Sequence, residues 1–286
     1  MLRRLPSGIA FGGDSPSNPS MTIRALGTAG FEIVAGGRTV VVDPFISRPS
    51  LWQTALFPLV PNADKIIQYI PHADEVLIGH AHHDHVLDAP ALCAHTGARF
   101  IGSHDACNVA RAAGLPEAQI VETEGREDIG CGDGRVRGYP SIHGKVYLGR
   151  VSLSGDIPSP PPWPPRFFHL KHGQVLNWLI ELGGVRVVHI DSADFIPSEI
   201  ADLRADVLCL CAIGRKHRPD YTREAISIIQ PKWVIPCHWD WFFDPIEDGD
   251  RMLPFVDLPG FIREIAECGA TPVVLPTGGT FVVASP

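Results

Sequence analysis

Short apolar runs rich in β-branched residues alternate along the chain with Gly pairs, prolines and stretches of helical period. Near the start, "FEIVA" and "RTVVVD" flank Gly36-Gly37, which predicts a β-hairpin, since a tight turn with positive φ suits glycine. The pattern then predicts a helix over 63–70, a buried strand over 74–80, a helix near 88–96 and a strand over 98–102. A helix over 104–114 follows, closed by Gly114. Strands resume at 175–182 and 185–190 across Gly183-Gly184, and another buried strand covers 205–212. A helix at 222–230, a strand at 232–237, a helix at 260–269 and the strands "TPVVLP" and "TFVVA" complete the chain. Hairpins at both ends with strand–helix alternation between them predict a layered α/β protein, and each half repeats a coarse order of strands, helices and a His-bearing strand end.

Composition narrows the class. The chain has 286 residues, 45% hydrophobic and 20% charged, as in an ordinary globular protein with a sizeable core. A net charge of -8 without a Lys/Arg cluster argues against nucleic acid and anionic membrane surfaces as partners. No apolar run is long enough for a transmembrane helix, and the first residues lack the apolar core of a signal peptide. Seven cysteines without CxxC pairs fit a reduced, cytoplasmic setting. The Gly/Ser/Pro-rich stretch 1–21 reads as a loose tail or vector remnant, with Met21 a candidate natural start, and 22–286 as the folded unit. Its Pro-rich segment near 156–173 reads as a semi-rigid aromatic flap. Oligomeric state is not encoded in any pattern, although aromatic residues after position 238 allow a homo-oligomer.

The chemistry is concentrated in "VLIGHAHHDHVLDAP" (76–90). His80 and His82 are two apart and share one face of an extended segment, so they can chelate one ion. Asp84 and His85 follow as the chain turns toward a helix and point to a neighbouring position, about one metal–metal spacing (roughly 3.5–4 Å) away. His83 faces away, as a supporting or surface residue. Imidazole and carboxylate together suit zinc, with manganese or iron as alternatives. Three more donors follow apolar runs: His143, Asp191 and His238, where open α/β sheets place their sites. Taken singly, each is more often a cap or turn residue.

Together these residues resemble the metallo-β-lactamase superfamily, over roughly residues 22–283. The resemblance implies a four-layer αββα sandwich with two divalent metal ions between the sheets. One ion would take His80, His82 and His143, and the other Asp84, His85 and His238, with Asp191 bridging. Asp194 in "HIDSADF" is an alternative bridge, and the family's usual Gly-Asp pair is missing there. "LGTAGFEIVAGGRTVVVDPFISR", Asp88 after the motif and "IPCHWDWF" resemble the branch of ascorbate-6-phosphate lactonase and N-acylphosphatidylethanolamine phospholipase D.

The implied activity is hydrolysis of an ester, lactone or phosphodiester of a small molecule, without a covalent intermediate. A hydroxide bridging two cations is nucleophilic at neutral pH because the ions lower the pKa of water, and Asp84 can orient it. No G-x-S-x-G elbow is present, which argues against a serine hydrolase. Arg215, Lys216 and His217 in "AIGRKHRPDY" are candidates to hold a phosphate or carboxylate, unless that segment is a solvated loop. Trp163 and Phe168 in the flap are candidates to line an apolar pocket, and His172 to reach the leaving group. Lys145 and Tyr147 are further candidates, while Trp239, Trp241, Phe242 and Phe243 read as core or dimer interface. Two alternatives stand beside a lactonase or esterase: a phosphodiesterase or phospholipase D-like enzyme, and a non-catalytic metal-binding module on the same fold.

Overall fold

The structure, a computed structural model, describes residues 20–283. Most of the expected tail therefore lies outside the described residues. Ser20 and Met21, assigned to that tail, are instead tied down: the Ser20 N–H donates to the Val283 carbonyl, and Met21 is buried at the start of the first strand.

Two seven-stranded sheets face each other. The first contains β1 (Met21–Gly27), β2 (Gly30–Ala35), β3 (Arg38–Val42), β4 (Glu75–Leu77), β5 (Arg99–Gly102) and β6 (Ile120–Glu122). The second contains β7 (Asp128–Cys131), β8 (Gly134–Ser141), β9 (Val175–Leu182), β10 (Val185–Ile190), β11 (Val207–Cys211), β12 (Trp233–Cys237) and β13 (Thr271–Pro272). The last strand, β14 (Thr280–Val283), returns to pair with β1. Both sheets follow one plan. β14-β1-β2-β3 are antiparallel and β3-β4-β5-β6 parallel, while β13-β12-β11-β10 are parallel and β10-β9-β8-β7 antiparallel.

The expected αββα sandwich is borne out, and β3 shows why. Successive side chains on a strand point to opposite faces. Val40 and Val42 enter the core between the sheets, with Phe31, Trp178, Ile180 and Val207. Val41 enters a second core, under α2 (Ala63–Tyr69), α4 (Ala89–Thr96) and α5 (His104–Ala112). The helices α6 (Pro197–Ile200), α7 (Tyr221–Ile229) and α8 (Leu258–Glu267) cover the second sheet. Two shorter helices, α1 (Leu51–Leu56) and α3 (His83–Val86), complete the set; α3 carries part of the site. The turn at Gly36-Gly37 has φ of +57° and +72°, as the hairpin reading requires.

Several expected elements shift. The strand over 74–80 ends at Leu77, since the chain must turn to present its histidines. The strand "TPVVLP" shrinks to Thr271–Pro272. β6, β7 and α1 had no apolar pattern to betray them, because each is largely exposed or half-exposed. All seven cysteines are free, and six are buried. No helix among the described residues is long and apolar enough to cross a membrane.

Candidate metal centre

Everything in the site lies just past the carboxyl ends of strands. His80 and His82 occupy the irregular segment after β4, and Asp84 and His85 follow in α3. His143 lies just beyond β8, Asp191 directly after β10 and His238 directly after β12. The two sheet ends meet because small residues let them. A Cβ at Gly79 would lie 2.2 Å from Asp191 Oδ2 and 3.0 Å from Asp43 Oδ2. A Cβ at Gly144 would lie 2.7 Å from the Ala193 backbone.

The donors fall into three overlapping groups: His80, His82 and His143; His80, His85 and Asp191; and Asp84, His85 and His238. Within each group the ligand atoms lie within 4.8 Å of one another. His80 Nε2 is 2.9 Å from His82 Nδ1, and His238 Nε2 is 3.2 Å from Asp84 Oδ2. Carboxylates behind the cluster orient the rings. Asp191 Oδ2 accepts from His80 Nδ1 at 2.5 Å, and Asp43 Oδ2 accepts from His85 Nδ1 at 2.9 Å while its Oδ1 accepts the Gly79 N–H. His238 has φ +55°, and its N–H donates to Thr28 O. Two residues on, Asp240 accepts the Thr28 N–H and pairs with Arg48 at 2.8 Å, with both partners buried.

Burial sets the protonation of the two sides apart. Desolvation, reinforced by neighbouring imidazoles, holds His80 and His82 well below the usual histidine range. Burial likewise pushes His143 down to about 4, so all three rings keep a free lone pair at neutral pH. At His85 burial also pulls down, but Asp84, Asp43 and Asp191 outweigh it and raise the ring to about 9. Asp84 resists the upward pull of burial because His85, His83 and His238 hold it well below the usual carboxylate range.

The residues present fit metal ions. Asp191 Oδ1 is buried without a hydrogen-bond partner, and the lone-pair nitrogens His80 Nε2 and His82 Nδ1 face each other at 2.9 Å. Orphaned donors and acceptors of this kind are costly unless an ion or other group satisfies them. Imidazoles and carboxylates are the donors that zinc, manganese and iron accept, and at His85 an ion would replace the proton that its neighbouring carboxylates hold there.

Residues 22–238 match the beta-lactamase superfamily domain. The chain belongs to this superfamily. A metal-dependent hydrolase of the UPF0173 family from Symbiobacterium thermophilum is 29% identical over 92% of this chain and all of its own length. A metallo hydrolase from the hyperthermophilic archaeon Ignicoccus hospitalis superposes with a TM-score of 0.64 at 20% identity, covering 92% of this chain and 98% of its own. CmlA, a diiron β-hydroxylase from Streptomyces venezuelae, superposes with a TM-score of 0.57 at 16% identity, over 94% of this chain and 55% of its own. The superfamily fold thus hosts more than one chemistry, and the reaction has to be argued from the site.

Within this superfamily member, the expected substrate readers scatter. The cavity over the donors, about 240 Å³, is lined by the donors themselves and by His83, Tyr147, Ile213, Phe242 and Phe243, among others. Arg215 is not free to bind an anion: it is buried, donates to the Asp257 carbonyl, lies 3.2 Å from Glu264 and stacks over Phe261. Lys216 pairs with Asp257. His217 lines a neighbouring apolar cavity rather than this one. Trp163 packs against the core beneath α2, α4 and α5, and Phe168 is 47% exposed beside His169; neither lines the metal cavity. The proline-rich segment closes on its own aromatics and on that core. His172 stacks on His143 at 5.4 Å and donates from Nδ1 to Gly173 O, and it does not line the cavity.

Some residues matter more than their sequence context suggested. His83 is buried against Phe45, Phe242 and Phe243 and lines the cavity, where a surface position was one expectation. Phe242 and Phe243 are cavity walls as well as packing. Tyr147 lines the cavity, whereas Lys145 does not. Asp43 is a functional residue that the sequence reading leaves without a role; an aspartate closing a buried strand before Pro is its only signal. Asp88 accepts from Ile46 N, Ser47 N and Ser47 Oγ, which fixes the loop after β3 beside the motif. Asp194, the alternative bridge, is engaged by Arg218, while Asp191 stands in the cluster.

Proposed function

We propose that the protein is a hydrolase working with two divalent metal ions, zinc first and manganese or iron as alternatives, that cleaves an ester or lactone of a small molecule. The observation that carries this reading is the convergence of two donor triads, His80/His82/His143 and Asp84/His85/His238, on one cavity with Asp191 between them. The metal-dependent hydrolase from Symbiobacterium thermophilum supports the reaction class. Bound divalent ions supply a water of lowered pKa and a Lewis acid for the substrate oxygen.

The chain's own residues do the rest. Asp191 and Asp43 fix the ring orientations of His80 and His85, as carboxylates behind ligating imidazoles do. Asp84 stays anionic, and so can accept a hydrogen bond from the attacking water and aim it. His172 acts as a positioning residue behind His143. Phe242, Phe243 and Tyr147 exclude bulk water, which strengthens electrostatics at the reacting group. No Lys or Arg stands among the described residues lining the metal cavity, which favours an uncharged ester or lactone over a phosphodiester. Asp88 and the segment after His238 keep the lactonase and phospholipase D-like branch as the nearer affiliation.

Turnover of p-nitrophenyl acetate, δ-valerolactone and bis-(p-nitrophenyl) phosphate tests the reading, for metal-loaded protein, chelator-treated protein and Asp84→Asn. Ester or lactone turnover lost on chelation and in Asp84→Asn is the expected result. Turnover of the phosphodiester alone would replace it with the phosphodiesterase reading. Metal binding without any turnover would leave a non-catalytic metal-binding module.

A further inference from the structure

A second cavity, of about 410 Å³, opens beside the metal cavity and shares Val146, Tyr147 and Ile213 with it. Leu148, Phe255 and Val256 extend its apolar wall. The charges at its far side are already used, since Arg215 is held by Asp257 and Glu264, and Lys216 by Asp257. Among these lining side chains only His217 is left without an ion-pair partner, so an ionic ligand would find little to hold it, whereas an apolar one would gain by leaving water.

Leu148 and Phe255 are 93% and 92% exposed, the highest values among the large apolar side chains of the described residues. Both also hold the left-handed backbone region, with φ of +58° and +69°. That conformation is unfavourable for bulky residues, and neither side chain recovers the cost by burial. Backbone strain of this kind clusters at active sites, ligand clamps and switch regions. The continuity of the cavity with the metal cluster says which ligand it would be.

We propose that this cavity holds the apolar tail of the substrate, with Leu148 and Phe255 folding over it, so that the preferred substrate is an ester or lactone carrying an extended aliphatic or aryl substituent. This rests on the hydrolase reading above, and the test separates the two. Binding of butanoate, hexanoate, octanoate and decanoate to the zinc-loaded protein is measured by calorimetry, alongside kcat/KM for the matching p-nitrophenyl esters. Affinity should rise with length, by up to roughly fourfold per buried methylene. The same series with Leu148→Ala/Phe255→Ala should give a flatter dependence, and both positions are exposed enough for that variant to fold.

Affinity that climbs with chain length without turnover of any ester would keep the cavity assignment and sink ester hydrolysis. Turnover with no dependence on length, in binding or in kcat/KM, would overturn the cavity assignment and leave the hydrolase reading standing. A wild-type dimer that the double variant separates, with flat binding, would reassign the two side chains to an interface between copies and equally overturn it.

Discussion

His80, His82, Asp84 and His85 leave the end of β4 within a single turn of chain, whereas His143, Asp191 and His238 arrive one at a time from the ends of three strands in the opposite sheet. The first group has its spacing fixed by α3 and the segment before it, and Gly79 lets two carboxylates, Asp43 and Asp191, close in behind. Members of the second group each depend on remote partners. His238 needs Thr28, and through Asp240 it needs Arg48, both far away in sequence. The Gly144 N–H beside His143 donates to Ser192 Oγ. A contiguous motif is therefore vulnerable at its own residues, and a scattered donor is vulnerable wherever its support lies.

The largest expected effect is in the contiguous half. Asp84→Ala should lower kcat/KM roughly 10²- to 10⁴-fold with an unchanged far-ultraviolet spectrum, measured on metal-loaded protein. Next is the support of the scattered half. Arg48→Met leaves Asp240 buried and unpaired, at a cost of about 3–5 kcal/mol by urea unfolding. The double variant Arg48→Met/Asp240→Asn should recover much of that loss; equal destabilisation of single and double variants would show that the pair is not what holds His238.

A smaller effect concerns Asp88, which props the motif from behind. Burial pushes its carboxyl up to about 6, although the bonds from Ser47 and Ile46 pull the other way. A carboxyl raised in the folded state contributes most below its ordinary value of 3.8 and loses that contribution as pH rises through about 6. The stability advantage of wild type over Asp88→Asn should thus shrink by about 2–3 kcal/mol between pH 4 and pH 7. A difference that grows with pH would contradict the assignment. Smallest is the flap: Phe168→Ala should change stability by no more than about 0.5 kcal/mol, because the ring is half-exposed and touches neither metal cavity nor main core. A large loss of activity in Phe168→Ala would restore the flap as a substrate wall.

The same contrast explains what could be read from the sequence. The sandwich was legible because β3, β9, β10 and β11 are buried and strongly apolar, and the Gly36-Gly37 turn fixes the first register. The H-x-H-x-D-H motif was legible because its spacing is itself the geometry. Choosing between Asp191 and Asp194 was not, since both follow the same strand and only Arg218, from a loop beyond β11, separates their surroundings. Arg215 looked like an anion binder because cationic side chains after a strand carry no mark of their partners, and Asp257 and Glu264 lie more than 40 residues away. The aromatic flap misled for a related reason: a proline-rich stretch with Trp163 and Phe168 has the composition of a pocket wall, and only tertiary packing shows Trp163 turned to the core.

The central proposal is a paired metal centre that depends on Asp191. Elemental analysis of protein purified without added metal, for wild type, Asp191→Ala and Asp194→Ala, tests it most directly. The account predicts two equivalents per chain in wild type and in Asp194→Ala, and fewer in Asp191→Ala. One equivalent or none in wild type, unchanged in both variants, or a loss confined to Asp194→Ala, would contradict it.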